Sequence, residues 1–187
     1  MILPASYYSS EDPVYIARDL LGKVIVTDID GLHTSGIIVE TEAYIAPEDQ
    51  ASHAKNNRRT PRTSTFFEIG GTAYVYVCYG VHHLFNVITG PIDVPHAILI
   101  RGLEPLNGID QVSAGPGILS QALGISKVHN GLLLNDPHSA IRIEDHYIPV
   151  DDNNIVAGPR IGIHSAGPRW IQAPFRFYIK NNKWVSK

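Results

Sequence analysis

Two glutamates and a tyrosine recur at every second position in "IIVETEAYIAPEDQASH" (residues 37–53), as Glu40, Glu42 and Tyr44. Alternate side chains of a strand share a face, so a strand here sets two carboxylates and a phenol side by side among Ile, Val and Ala. The ordinary reading of such a face is exposed acids paired with arginine. An acid among aromatics has a wider chemistry. It can be general base, stabiliser of a sugar cation or nucleophile in cleaving a glycosidic bond, while flat rings stack on a flat base. Further aromatics are at hand: Tyr74, Tyr76, Tyr79, His53 and Phe85 lie in or beside the two strongest strand patterns. Taken singly, each is also explained by the preference of strands for aromatic residues.

Other chemistries find no residues to carry them. The chain has no G-x-x-x-x-G-K-[ST], no G-x-G-x-x-G after a strand and no G-x-S-x-G. Its single cysteine, Cys78, excludes an internal disulfide, a multi-cysteine zinc site and the P-C-x-x-C of zinc deaminases. Nine histidines are scattered without ligand spacing, so neither a metal nor another cofactor is expected.

The elements that must position these residues can be read from pattern. "SEDPVYIARDLLGKVIV" predicts a short helix running into a strand, with Asp12 as cap, Pro13 at the first helical position, Gly22 at the stop and Ile16, Leu20 and Leu21 facing a core. "KVIVTDID" and "HTSGIIVETEAY" predict an antiparallel hairpin across Asp30 and Gly31. A loop rich in Asn, Arg, Thr and Pro follows, from Ala46 to about Thr65. "TAYVYVCYG" (72–80) alternates as a strand with Tyr74, Tyr76 and Cys78 on one face, and Tyr79 and Gly80 at its turn. "LFNVITG", "HAILIRGLEPL", "RIGIHS" and "FRFYIK" read as further strands, and "GPGILSQALGIS" as a helix closed by Gly124. The sum is one α+β domain over residues 1–187: a curved, mostly antiparallel sheet or partly open barrel with a few flanking helices.

At 187 residues the chain can bury a sizeable core. No apolar run approaches a membrane span, and "MILPASYYSSEDP" lacks a basic region followed by a long apolar one. A soluble intracellular protein without a membrane partner is expected: cytoplasmic and nucleoid-associated in a bacterium, nuclear in a eukaryote. Net charge is −3, which argues against coating nucleic acid electrostatically. Yet "KNNRRTPR" (55–62) gathers four of the fifteen Lys and Arg. One basic loop on a mildly acidic body suggests a local anion contact.

Seven segments in register, "VETEAYIAPEDQASHA", "RRTPR", "YVYVCYGVHHLFNV", "ILIRGLEPL", "AGPGILSQALGI", "RIGIHSAG" and "PFRFYI", resemble the alkyladenine DNA glycosylase family, the methylpurine type of 3-methyladenine DNA glycosylases. The resemblance runs from about Tyr15 to Ser186. It implies a monofunctional, monomeric enzyme that flips a damaged purine from duplex DNA, hydrolyses its N-glycosidic bond and leaves an abasic site. The implied lesions are 3-methyladenine, 7-methylguanine, hypoxanthine and ethenoadenine. Carried onto matching positions, Glu42 is the base that activates water, and Arg101 and the backbone carbonyl of Ile161 help hold that water. Tyr44, His53 and Tyr76 are the walls that stack on the flipped base, Asn86 screens exocyclic groups, and Tyr79 wedges into the minor groove. Arg58, Thr60 and Arg62 become phosphate contacts. Glu40, one strand repeat before Glu42, becomes a structural ion-pair or hydrogen-bonding acid.

These roles are physically coherent. Flipping costs a few kcal/mol, least at damaged pairs; stacking returns roughly 1–3 kcal/mol per base, and cationic alkylated purines favour electron-rich rings. None of the seven segments contains a lysine, in keeping with water rather than an amine as nucleophile. For neutral lesions the proton donor to the leaving base stays open among backbone N–H groups, water and His53. One departure stands out: the family usually has a basic residue where "GPGILSQAL" has Ile118, which together with the negative net charge predicts weak non-specific DNA binding and strong salt sensitivity. A module that holds a base on aromatics without cleaving it, and a hydrolase of RNA or nucleosides, are the competing readings.

Overall fold

The computed structural model describes residues 1–110 and 114–186. A short helix α1 (Ala5–Tyr8) precedes α2 (Pro13–Asp19), whose start is built as the sequence predicts: the Asp12 carboxylate accepts from the Val14 and Tyr15 amides, both at 3.0 Å, and Pro13 fills the first position. Ile16, Ala17, Leu20 and Leu21 then face the core.

Strands β1 (Val24–Ile29) and β2 (Leu32–Ile45) pair antiparallel from Ile29↔Leu32 to Val24↔Ile37. Between them Asp30 and Gly31 both take positive φ, 52° and 76°, the mirror-image turn whose twist suits a tight hairpin. Strands β3 (Ala73–Cys78), β4 (His82–Thr89) and β5 (His96–Asn107) continue the sheet, and β6 (Ile141–Glu144) closes its far edge in the order β3-β4-β5-β2-β1-β6. Among the described residues every strand pairing is antiparallel, and the sheet curls into a half-barrel with few helices, as expected for the α+β reading.

The long strand β2 is where the sheet branches. Up to Ile37 its outer neighbour is β1; from Glu40 to Glu42 it is β8 (Arg176–Ile179), which also pairs with β7 (Ile155–Gly158). Register shifts between β2 and β5 flank Glu40, as bulges do where a strand is re-aimed. β5 and β8 thus flank this stretch of β2 on its two edges, and Glu40 and Glu42 are both buried rather than solvated. The opposite face of β2 packs Ile38 and Ala43 into the main core with α2, and the Thr41 hydroxyl donates to the Ala17 carbonyl at 2.7 Å.

The helix predicted at "GPGILSQAL" is α3 (Pro116–Ala122), ending at Gly124 with φ 69°. A last short helix, α4 (Pro168–Gln172), precedes β8. Residues 46–67 form the expected loop, tightened by two 3-10 turns, and bury Ala46, Ala54, Phe66 and Phe67 against Tyr74, Ile88 and Ala97 as a smaller second core.

Two sequence expectations need correction. "RIGIHS" is a loop, not a strand. Gly162 takes φ 79°, which breaks an extended run, and the Ile161 amide is engaged by a side chain instead of a ladder. Conversely, β6 and β7 are strands that alternation did not single out; at four residues each they are too short to show a period.

Candidate active site

Glu42 has no exposed surface, and its carboxylate is held from three sides. The Ile161 amide donates to Oε1 at 2.7 Å, the Tyr44 hydroxyl donates to Oε2 at 2.8 Å, and Arg101 Nε lies 3.5 Å from Oε1. Burial pushes this carboxyl above its usual range, while Arg101, the Ile161 amide and Tyr44 pull it back and the nearby Glu40 charge pushes it up. Burial, and then the Glu42 charge, hold the Tyr44 hydroxyl well above its ordinary value, so it stays a donor.

Glu40 is the other acid of the same face, and its partners differ. Its Oε1 accepts from Arg101 Nε at 3.2 Å, Arg176 Nε at 2.6 Å and the Ser186 hydroxyl at 2.8 Å, while Oε2 accepts from the Ser186 amide at 2.7 Å. This buried carboxylate therefore carries two guanidinium groups and Ser186, which leaves Glu42 with fewer charged partners.

In front of Glu42 opens a cavity of about 520 Å³, within the range typical of small-molecule sites, ~300–1,000 Å³. Tyr44, Arg101 and Ile161 form the wall between it and the carboxylate; Tyr74, Tyr76 and Cys78 enter from β3, Asn86 from β4, and His53 and Phe66 from the 46–67 loop. Alternation on β3 explains why those three side chains arrive together. Both amide hydrogens of Asn86 are turned away, donated to the carbonyls of Tyr74 (3.1 Å) and Leu84 (3.3 Å). That leaves its Oδ1 as the remaining polar atom.

The aromatic residues touch one another. Tyr74 and Tyr76 stack with centroids 5.4 Å apart, and His53 stands edge-on to Tyr76 at 4.6 Å. At that separation no flat ring fits between His53 and Tyr76, so a base stacked between them requires His53 to move. Burial, helped by the Arg62 charge, lowers the His53 imidazole to about 4, and its Nδ1 lies 3.2 Å from the Tyr74 hydroxyl. A neutral ring carries one N–H, so it can hydrogen-bond a base but holds no extra proton to give.

Tyr79 sits at the cavity lip on the β3–β4 turn, 93% exposed and at φ 51°. Exposed Ile118, on α3, stands at the rim where a cation was expected to be missing. The three basic-loop residues separate. Arg58 is exposed beside Lys55 along a smaller recess of about 260 Å³. The Thr60 hydroxyl is engaged with Thr63, accepting its amide at 3.2 Å. Arg62 lines the cavity itself, its guanidinium 5.1 Å from the centre of the Tyr76 ring.

Sequence reading missed the other groups that shape the site. Phe66, Arg62 and Tyr74 were not seen as cavity walls, and the buried pair of Arg160 and Asp49 was not seen at all, because 111 residues separate its members and no local pattern links them. For Ile161 the expectation concerned its carbonyl; the structure brings its amide to Glu42. Among the described residues no three His, Cys, Asp or Glu side chains gather as metal ligands.

Aromatic walls with a carboxylate set behind them suit a hydrolase acting on a flat heterocycle, and likeness to known proteins makes that class specific. A family model described as methylpurine-DNA glycosylase matches residues 7–183. A protein of Bacillus cereus strain G9842 is 40% identical over the full length of both chains, and one of Chlamydia abortus is 41% identical over 96% of this chain and all of its own; both are named "Putative 3-methyladenine DNA glycosylase". The chain belongs to the methylpurine-DNA glycosylase family: it is a monofunctional DNA glycosylase, a hydrolase of DNA repair.

Proposed function

We propose that the protein flips alkylated or deaminated purines out of duplex DNA into the 520 Å³ cavity and cleaves the N-glycosidic bond with water activated by Glu42. The observation that carries this reading is the state of Glu42: fully buried, raised in proton affinity, and held by Tyr44, Arg101 and Ile161, all three of which line the cavity. A carboxyl raised toward the working pH is a better general base than an ordinary one.

The geometry supports the following course. A purine enters past Tyr79 and stacks on the Tyr76 ring, while His53 and Arg62 withdraw from that ring; Arg62 then becomes free to meet a backbone phosphate beside Arg58. Cationic bases such as 3-methyladenine and 7-methylguanine take the place of the Arg62 guanidinium over the ring, where cation–π attraction favours them. As the bond lengthens, the sugar gains oxocarbenium character. Water bound at the wall formed by Arg101 and Ile161 loses its proton to Glu42 and adds to the anomeric carbon. Hypoxanthine and ethenoadenine leave with a hydrogen bond from a backbone amide, water or the neutral His53.

A release assay tests this reading. Duplexes carrying 3-methyladenine, 7-methylguanine, hypoxanthine or ethenoadenine are compared with matching RNA and free nucleosides at low salt. Free base and an abasic site from duplex DNA alone are expected. Absence of release from any duplex would favour a non-cleaving base-holding module, and equal release from RNA or nucleosides a different substrate class.

A further inference from the structure

We propose that the buried pair of Arg160 and Asp49 is a positioning clamp for the reaction, which locks the Ile161 amide and the Tyr44 ring against Glu42. This rests on the reading of Glu42 as the water-activating base. Neither side chain has exposed surface. The guanidinium meets the carboxylate as a two-pronged fork, Nη1 to Oδ2 at 2.5 Å and Nη2 to Oδ1 at 2.9 Å. Asp49, just beyond β2, also accepts from the Ile45 amide at 3.1 Å and the Ala51 amide at 3.0 Å. Arg160 Nη1 donates to the Ala43 carbonyl at 2.8 Å, and its guanidinium lies 4.6 Å from the centre of the Tyr44 ring and 5.4 Å from that of Phe175. One residue onward, Ile161 delivers its amide to Glu42.

Stability alone is a poor reason for this pair. Apolar residues of similar volume commonly replace a buried ion pair without loss, because both ions must be stripped of water; here the Arg160 Nε is even left buried with no hydrogen-bond partner. What an apolar pair lacks is direction. A planar fork fixes the orientation of the chain that bears it, and this chain enters a loop with no ladder to hold it. The two ends of the clamp reach two uncharged donors on Glu42, the amide of Ile161 and, through its ring, the hydroxyl of Tyr44. The other groups facing Glu42 are Arg101 from β5, Glu40 from β2, Tyr76 from β3 and Arg176 from β8.

The full-length protein is tested as Asp49→Asn, as Arg160→Lys, which keeps the charge but not the fork, and as the double change Asp49→Leu with Arg160→Met, which leaves no unpaired buried charge. Each is measured for thermal stability, for affinity toward a duplex carrying a tetrahydrofuran abasic analogue, and for single-turnover release of 7-methylguanine against pH. The expected result is a rate reduced about tenfold at neutral pH and an acid limb moved up by about one pH unit, a tenfold change in proton affinity, with abasic-duplex affinity unchanged. The double variant is expected to stay folded with the same kinetic defect. A folded variant with the wild-type rate and acid limb would overturn the clamp. Glu42→Gln, run alongside, separates the two readings: if it releases base normally the base assignment itself fails, and if it is inactive while the clamp variants match wild type, only the clamp does.

Discussion

Tyr44 stands one strand repeat beyond Glu42 and turns its hydroxyl back onto it, 2.8 Å from Oε2. The alternation that set the two on one face therefore yields a donor for the carboxylate as well as a ring for the cavity. Tyr44→Phe keeps the ring and removes a hydrogen bond to a charged group, worth about 1.5–3 kcal/mol. Glu42 then gains proton affinity. Single-turnover release of 7-methylguanine followed against pH is expected to show its acid limb displaced upward, with the loss largest below the wild-type limb and small well above it. A uniform loss at every pH would assign Tyr44 to stacking alone.

The raised carboxyl of Glu42 also makes a statement about stability. Its folded value exceeds the unfolded one of about 4.3, so between the two the native state binds more protons and stability falls as pH rises through that window. Above it, the cost of the buried charge is fully present. Glu42→Gln is therefore expected to raise the melting temperature at neutral pH and to lose that advantage below about pH 4. Thermal melts at both pH values check the sign; a lower melting temperature at neutral pH would contradict it.

Glu40→Gln is expected to do the opposite. It withdraws the charge shared by Arg101 and Arg176 and weakens the anchor of Ser186. Leaving buried cations unpaired costs about 3–5 kcal/mol. Denaturant titration should show a loss of that order. The two glutamates, indistinguishable by alternation, should thus shift stability in opposite directions.

Much of this was legible in the sequence, and the division has physical causes. The hairpin through Asp30 and Gly31, the Asp12 cap and the cavity face of β3 depend on neighbours within a few residues, and local pattern reports such contacts. The family resemblance pointed to Glu42, which alternation could not separate from Glu40. What stayed hidden depends on distant partners: the switch of β2 from β1 to β8, the tie of Ser186 to Glu40, and the pairing of Asp49 with Arg160. "RIGIHS" looked extended because of its apolar alternation, yet the φ of Gly162 and the pull of Glu42 on the Ile161 amide make it a loop.

Arg62 over the Tyr76 ring sets up a test of the unliganded cavity. Its charge helps burial hold the His53 imidazole down at about 4. Arg62→Ala is expected to raise the His53 value, read by NMR titration of the imidazole, and to reduce duplex affinity together with its dependence on salt. An unmoved His53 titration would place the guanidinium away from the ring in solution.

Tyr79 is nearly free of protein contacts, so Tyr79→Ala should change stability by less than about 0.5 kcal/mol. As a wedge it should matter most for lesions that remain well paired. A rate loss of roughly 5- to 150-fold, from ~1–3 kcal/mol of stacking, is expected on hypoxanthine paired with cytosine, its best-matched partner, and a smaller one on hypoxanthine opposite thymine, a wobble pair that opens more easily. Equal losses in both contexts would argue against a wedge.

The proposed reaction turns on Glu42 activating the water that replaces the base. Its test is single-turnover release of 7-methylguanine from duplex DNA by the wild type and by Glu42→Gln, at saturating enzyme and neutral pH. A fall of about 10²–10⁴-fold is expected for loss of a general base, with binding to an abasic-analogue duplex retained. Release by Glu42→Gln at the wild-type rate would contradict it.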